Sequence, residues 1–265
     1  MEWRCYQPGK NTPSAVVSAR SWATALEAAH SALWPRSSAG GQWHCLRQSD
    51  GIWVYEGLRQ RSFALHPFFD PPATSTPPPA FPEPPWCAPE VLAPAPSLAA
   101  LTTAGAPLRA LSPRTPPGDC LAALAQALRA HIPCDAALVC DVDIAEGVGA
   151  ASVVAPDTCA ATAHAQFPAW RTLVDFACRT ASVVSVSDAP GAEQASAARY
   201  ESYLEELDTP GSGAVFPVQA AGRLYAWLLL QRHLPHTPWT RPQTQLGAHL
   251  AGLAAEHIAR LRGAA

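Results

Sequence analysis

Lysine is almost missing from this chain: Lys10 stands alone among 18 basic residues, which face 21 acidic ones for a net charge of −3. A balance that close to neutral leaves no nucleic-acid footprint and no surface that draws an anionic membrane. Also missing is any apolar run of about 18 residues, the length a membrane span needs. The amino terminus, "MEWRCYQPGKNTPS", lacks the apolar core of a signal peptide, so a soluble, cytoplasmic protein is expected. The eight cysteines form no C-x-x-C pair and no Cys/His cluster at zinc spacing, so free thiols are expected and no metal or cofactor is implied. There is no glycine-rich phosphate loop, nucleophile elbow or helical His-Glu-x-x-His.

Proline, by contrast, is abundant. Of 28 prolines, 16 fall between Pro67 and Pro117, where the overall usage is already about twice the usual ~5%. The surplus divides the chain into a small domain at 1–68, an extended linker at 69–117 and a larger domain at 118–265, long enough together for two cores. The fold class is α+β.

In the first segment, "WRCYQPG" and "SAVVSA" read as two short strands around the Pro8-Gly9 turn. Trp22, Leu26, Ala29 and Leu33 make one stripe of a helix that Trp34-Pro35 ends. "QWHCLRQ", "GIWVYEG" and "RSFALHPF" follow as a meander, giving the order ββαβββ. Five of nine tryptophans lie in the first 53 residues. They fit a small core that needs large rings, or an exposed groove in which Trp3, Trp43 and Trp53 bind a partner. In the linker, "PPPAFPEPPW" offers overlapping P-x-x-P spacings beside Phe81 and Trp86, a spacer or a ligand for an aromatic groove. Ser97 to Ala104 has some helical tendency.

After Gly118, Asp119 is positioned to cap a helix with Leu121, Leu124, Leu128 and Ile132 on one face. "DAALVCDVD" and "GAASVVA" read as a strand pair. Pro168 opens a helix to Arg179, "SVVSVSD" is a short strand, and a helix follows from 197 to 207. "GAVFPVQAAGRLYAWLLLQR" has the form of a hairpin turning at Ala221-Gly222, and a long helix from Arg241 or Pro242 to Arg262 ends the pattern. His233, His236, His249 and His257 read as solvated side chains, and Asp141, Asp143 and Glu146 as a charged strand end.

The strings "FACRTASVVSVSDAP", "GSGAVFPVQAAGRLYAWLLLQR" and "TPWTRPQTQLGAHLAGLAAEHIARL", in this element order, resemble GAF domains, a PAS-related sensory fold. One departure is Ala226, where the family usually has glycine. The resemblance implies a central antiparallel sheet flanked by helices, with a small-molecule pocket whose candidate lining is Cys140, Trp170, Phe176, Val184, Tyr203, Phe216 and Trp227. It also implies pairing of two copies through the first and last helices, with Leu121, Leu128, Leu250, Ile258 and Leu261 as candidates. The motifs for cyclic nucleotides or bilins are not present.

The reading is therefore a non-enzymatic regulatory or adaptor protein, a homodimer, whose GAF-like module binds a small molecule or protein and whose amino-terminal domain binds a second protein. Two alternatives stand beside it. One is a thiol-dependent redox enzyme using Cys140, Cys159 and Cys178. The other, weaker, is nucleic-acid binding by the front segment, where residues 1–65 carry 7 basic and 4 acidic side chains.

Overall fold

Alternating burial begins at the amino terminus, where Trp3 and Cys5 point one way into the core and Glu2 stays exposed. The computed structural model describes residues 2–20, 22–37, 41–47, 51–57, 59–68, 93–143, 148–155, 166–168, 173–188, 212–232 and 239–263. Strands β1 (Glu2–Tyr6) and β2 (Ala15–Ser18) are followed by helix α1 (Trp22–Leu33) and by β3 (Gln42–Arg47), β4 (Ile52–Glu56) and β5 (Arg61–Phe68). α1 buries Trp22, Leu26 and Ala29 and stops before Trp34-Pro35, as the restriction on a residue preceding proline requires.

Residues 98–109 correct the linker boundary. They form α2 (Leu98–Arg109), capped by Ser97 Oγ accepting from the Ala100 amide at 3.2 Å, and Ala104, Gly105 and Leu108 are buried. The internal Pro107 did not prevent the helix, because an apolar edge had a partner to pack on. The preceding residues 69–92, including Phe81 and Trp86, lie outside the described residues. α3 (Pro117–His131) opens on Pro117 and not on an Asp119 cap; Asp119 sits in the first turn, where its charge suits the helix dipole.

Then come β6 (Ala136–Asp143), β7 (Val148–Ala155), the short edge strand β8 (Gln166–Pro168), α4 (Leu173–Thr180), β9 (Val183–Asp188), the hairpin β10 (Ser212–Ala220) and β11 (Arg223–Arg232), and α5 (Arg241–Gly263). Pro168 ends an edge strand instead of opening a helix; it pairs with Val148 only, and edge positions tolerate a residue without an N–H. The expected helix at 197–207 lies outside the described residues. Ala221 and Gly222 both take positive φ, 50° and 75°, the conformation a two-residue hairpin turn demands.

All eleven strands join one sheet in the order β2-β1-β5-β4-β3-β9-β10-β11-β6-β7-β8. Every pairing is antiparallel except β3 with β9, which run parallel from Gln42↔Val183 to Arg47↔Asp188. The front segment and the GAF-like segment are thus joined through backbone hydrogen bonding and are not held apart by a spacer. α1 and α4 cover one face, over a core that includes Trp22, Trp43, Phe63, Phe176, Val184, Trp227 and Leu229. α3 and α5 cover the opposite face of the carboxy-terminal strands, over Leu124, Leu128, Phe216, Leu228, Leu250 and Ile258, and α2 packs on these two helices. Among the described residues no helix is long and apolar enough to cross a membrane.

α5 is seated by a reciprocal cap: the Thr240 amide donates to Gln243 Oε1 at 3.0 Å and the Gln243 amide faces Thr240 Oγ1 at 3.5 Å. Arg232, buried at the end of β11, stacks on Trp239 at 3.9 Å and donates to the Pro133 carbonyl at 2.8 Å. One turn further along the helix, Gly247 lies directly on Phe216; a Cβ there would come within 2.1 Å of the Phe216 ring. Phe216 is fully buried and has nowhere to swing. Gly247→Ala is expected to destabilise the fold by about 1–3 kcal/mol despite alanine's better helix propensity. Urea denaturation followed by circular dichroism checks this; an unchanged midpoint would contradict the close approach of α5 to β10.

Candidate functional site

The residues expected to line one pocket are divided by the sheet. Val184 on β9 and Trp227 on β11 point to the face covered by α4, where Phe176 meets them, and all three are 1% exposed or less. Phe216 on β10 points to the other face, beneath α5. Cys140 pairs with Trp227 across β6 and β11, but its side chain, like all of Trp170 and Tyr203, lies outside what is described. A strand alternates its side chains between faces, so Phe216 cannot share a wall with its neighbours in sequence, Val215 and Pro217.

The space beside Phe176, Val184 and Trp227 is filled from the amino-terminal half. Trp43 on β3 is fully buried and stands edge-on to Phe176, with ring centroids 5.6 Å apart. His30 of α1 meets the Trp43 ring in turn at 5.1 Å. Between the helices, Arg179 of α4 forks onto Glu27 of α1 with two 2.8 Å bonds. That pair is half-exposed and contributes orientation more than stability, about 0–1 kcal/mol; it holds the Glu27 carboxyl below its ordinary range, chiefly by hydrogen bonding.

Trp3, Trp43 and Trp53 are 2%, 0% and 3% exposed. They belong to the core and form no groove for a partner; five strands and one helix leave too little aliphatic volume to bury without them. Leu121, Leu128, Leu250 and Ile258 are likewise inside the chain's own core, and Leu261 is half-buried. The apolar face of Leu121, Leu128, Leu250 and Ile258 packs against other elements of the same chain. His249 meets Arg109 Nη2 at 3.2 Å, and His257 is buried, with Nε2 donating to the Thr115 carbonyl at 3.1 Å, so it is not a solvated side chain. His233, His236 and Glu146 lie outside the described residues, as do the side chains of Asp141 and Asp143. Among the described residues there is no cluster of His, Cys, Asp and Glu able to hold a metal ion.

The strand junction carries a polar pair that the sequence did not announce. His44 Nδ1 lies 2.9 Å from Ser185 Oγ, whose hydroxyl is 3.3 Å from the Trp43 carbonyl. The two are brought together by the parallel register, which sets His44 against Ser185 across 141 positions of sequence. Burial, helped by the Arg241 charge, lowers the His44 pKa to about 4. The ring is therefore neutral at pH 7. Both side chains are buried, each 2% exposed.

No protein-family model matches the chain, and no curated protein does. Solved structures are similar in shape. The GAF domain of a phosphoenolpyruvate-protein phosphotransferase from Coxiella burnetii is 17% identical, covers 62% of this chain and 93% of its own, and has a TM-score of 0.47. The GAF-B domain of DevS from Mycobacterium smegmatis is 18% identical over 56% of this chain and 97% of its own, with a TM-score of 0.44. The chromophore-binding domain of a bacteriophytochrome from R. palustris spans 100% of this chain and 94% of its own at 10% identity and a TM-score of 0.46. The chain is similar to GAF domains. What its site does is read from its own residues.

His44 makes stability depend on pH. Its folded pKa lies below the ordinary 6.5, so between about pH 6.5 and 4 the unfolded chain binds the proton more readily and stability falls as pH falls, by ~3 kcal/mol for this group. Denaturation midpoints at pH 7.5 and 4.5 check it: the wild type should lose more than His44→Gln over that interval. Equal losses in the two proteins would remove His44 as the cause.

Proposed function

We propose that this is a non-enzymatic regulatory module that works by binding, and that its amino-terminal half occupies the sheet face a GAF-like pocket would otherwise offer to a ligand. The observation that carries this reading is the Trp43–Phe176 contact within a core shared by both halves. A regulatory element of this kind transmits binding through contacts between its parts, and a sheet that is continuous across the junction couples them more tightly than a spacer does. A protein partner engaging the outer surfaces, or a ligand that displaces the Trp43 edge, acts on the same junction.

The thiol-enzyme alternative rests on Cys140, Cys159 and Cys178, and three other thiols are set apart from it by burial. Burial pushes the thiols of Cys5 and Cys45 up to about 12 and that of Cys120 up to about 11, whereas a reactive cysteine needs thiolate near neutral pH. Cys178 is half-buried against the shared core, and the side chains of Cys140 and Cys159 lie outside the described residues. Brief alkylation at pH 7.5, read by peptide mass spectrometry, should leave Cys5, Cys45 and Cys120 unmodified until denaturant is added. Rapid labelling of any of the three would mean that the core is open.

A dimer, if the protein forms one, uses a surface other than the buried leucines of α3 and α5, and light scattering at tens of micromolar gives the subunit count. The occupied-face reading is tested by Trp43→Ala. Removing a fully buried indole should cost about 3–5 kcal/mol, and free indole should bind the variant and restore part of the loss while leaving the wild type unaffected. Indole binding equally to both proteins, or a variant as stable as the wild type, would show that Trp43 does not fill this space.

A further inference from the structure

The end of α1 and the turn between β4 and β5 wall an open cleft of about 700 Å³, lined by Leu33, Trp34, Arg36, Ser37, Arg59 and Arg61 among others. It lies in the amino-terminal half, at the margin of the shared core, against which Leu33 and Trp34 pack. Two chain features create it. Pro35 stands two residues past the helix end at Leu33, and Trp34 packs on Phe63 of β5 with ring centroids 5.7 Å apart. On the facing side, Gln60 takes a positive φ of 52° in the turn that carries Arg59 and Arg61.

Its charges do not cancel. Arg59 Nη1 is paired with Glu56 Oε1, and Glu56 is buried, with 1% exposure. That accounts for one of three guanidinium groups. Arg61 lies over the Trp34 ring, 5.0 Å from its centroid, and its Nη1 is buried without a hydrogen-bond partner. Arg36 is exposed at the rim. Among the described residues neither Arg36 nor Arg61 has a carboxylate partner. The nearby His30 ring is held below its ordinary pKa, by burial first, with Glu56 opposing and Arg59 and Arg61 adding to the lowering. Among the described residues the cleft therefore holds two guanidinium groups without a carboxylate partner, beside an apolar wall of Leu33 and Pro35.

Two spare forks call for a dianion, since a guanidinium matches phosphate or carboxylate oxygens in pairs. The Trp34 ring keeps the Arg61 plane in place, so less side-chain freedom is lost on binding. We propose that this cleft binds a small organic phosphate monoester, its dianionic group between Arg36 and Arg61 and its organic part against Leu33 and Pro35. The volume lies within the range of small-molecule sites, roughly 300–1,000 Å³.

Calorimetric titration of the full-length protein with phenyl phosphate, at constant ionic strength and pH 7.5, tests the proposal. Saturable binding is expected, weakened about tenfold or more in Arg61→Gln and in Arg36→Gln and unchanged in Arg114→Gln, an exposed arginine elsewhere. Arg36 is at the rim and its replacement leaves the fold intact, so the test does not depend on Arg61→Gln folding. Affinity should also decline as pH falls through the second phosphate ionisation near 6. No saturable binding, equal binding in the Arg36 and Arg61 variants, or equal affinity for succinate would overturn it. None of these results bears on whether Trp43 fills the GAF-like face, so the two readings fail independently.

Discussion

Six residues of parallel pairing, Gln42 to Arg47 beside Val183 to Asp188, decide what the rest of the molecule is. Without it, β3 and β9 would each be an edge with a row of unpaired amides and carbonyls, a liability that proteins seldom leave uncovered. With it, each edge satisfies the other, and the side chains on either side of the ribbon fall into register. Trp43 and Cys45 align with Val184 and Val186 on the face under α1 and α4; His44 aligns with Ser185 on the opposite face. The junction is reinforced where it starts, by the Gly41 amide donating to Ser182 Oγ at 3.1 Å and the Val183 amide donating to the Gly41 carbonyl at 3.1 Å.

This register explains why one core is shared by both halves, while a second lies wholly within the carboxy-terminal half. Trp43 arrives beside Phe176 because β3 sits one strand-width from β9, and the ring then closes a space lined by Val184 and Trp227. Each such side chain contributes about 1.5–3 kcal/mol by leaving water, and the contribution is available to either half only while the other is in place. The same registration places a neutral His44 in the seam, where a proton is costly because the ring is buried and Arg241 is near.

Local patterns were readable and distant pairings were not. The hairpin turn at Ala221-Gly222, the α1 stripe of Trp22, Leu26 and Ala29, and the strand periodicities of "QWHCLR" and "VVSVSD" follow from residues close together in sequence. Nothing in "QWHCLR" names a partner about 140 residues away, since both strands alternate in a way that fits many neighbours. The same limit misdirected the leucine stripes of α3 and α5. An apolar helix face is satisfied equally by a second copy or by the chain's own sheet, and α2, hidden in a proline-rich stretch, supplied part of the cover. The pocket set failed for a different reason: Phe216 and Trp227 were grouped by family analogy, while strand parity sends them to opposite faces.

The arginine-lined cleft shows the reverse case, in which the sequence signal was present and carried no meaning alone. Trp34-Pro35 reads as a helix stop, and Arg61 opens the strand "RSFALHPF". Only folding sets the helix end against the β4–β5 turn, and only the pairing of buried Glu56 with Arg59 shows that its charge is taken up by one of the three arginines. A surface arginine excess spread over a chain of net charge −3 would be screened within about 8–10 Å and do little. Gathered around one concavity, with the Arg61 plane fixed on Trp34, the same charges act on a single ligand group at short range, where solvent screens them least.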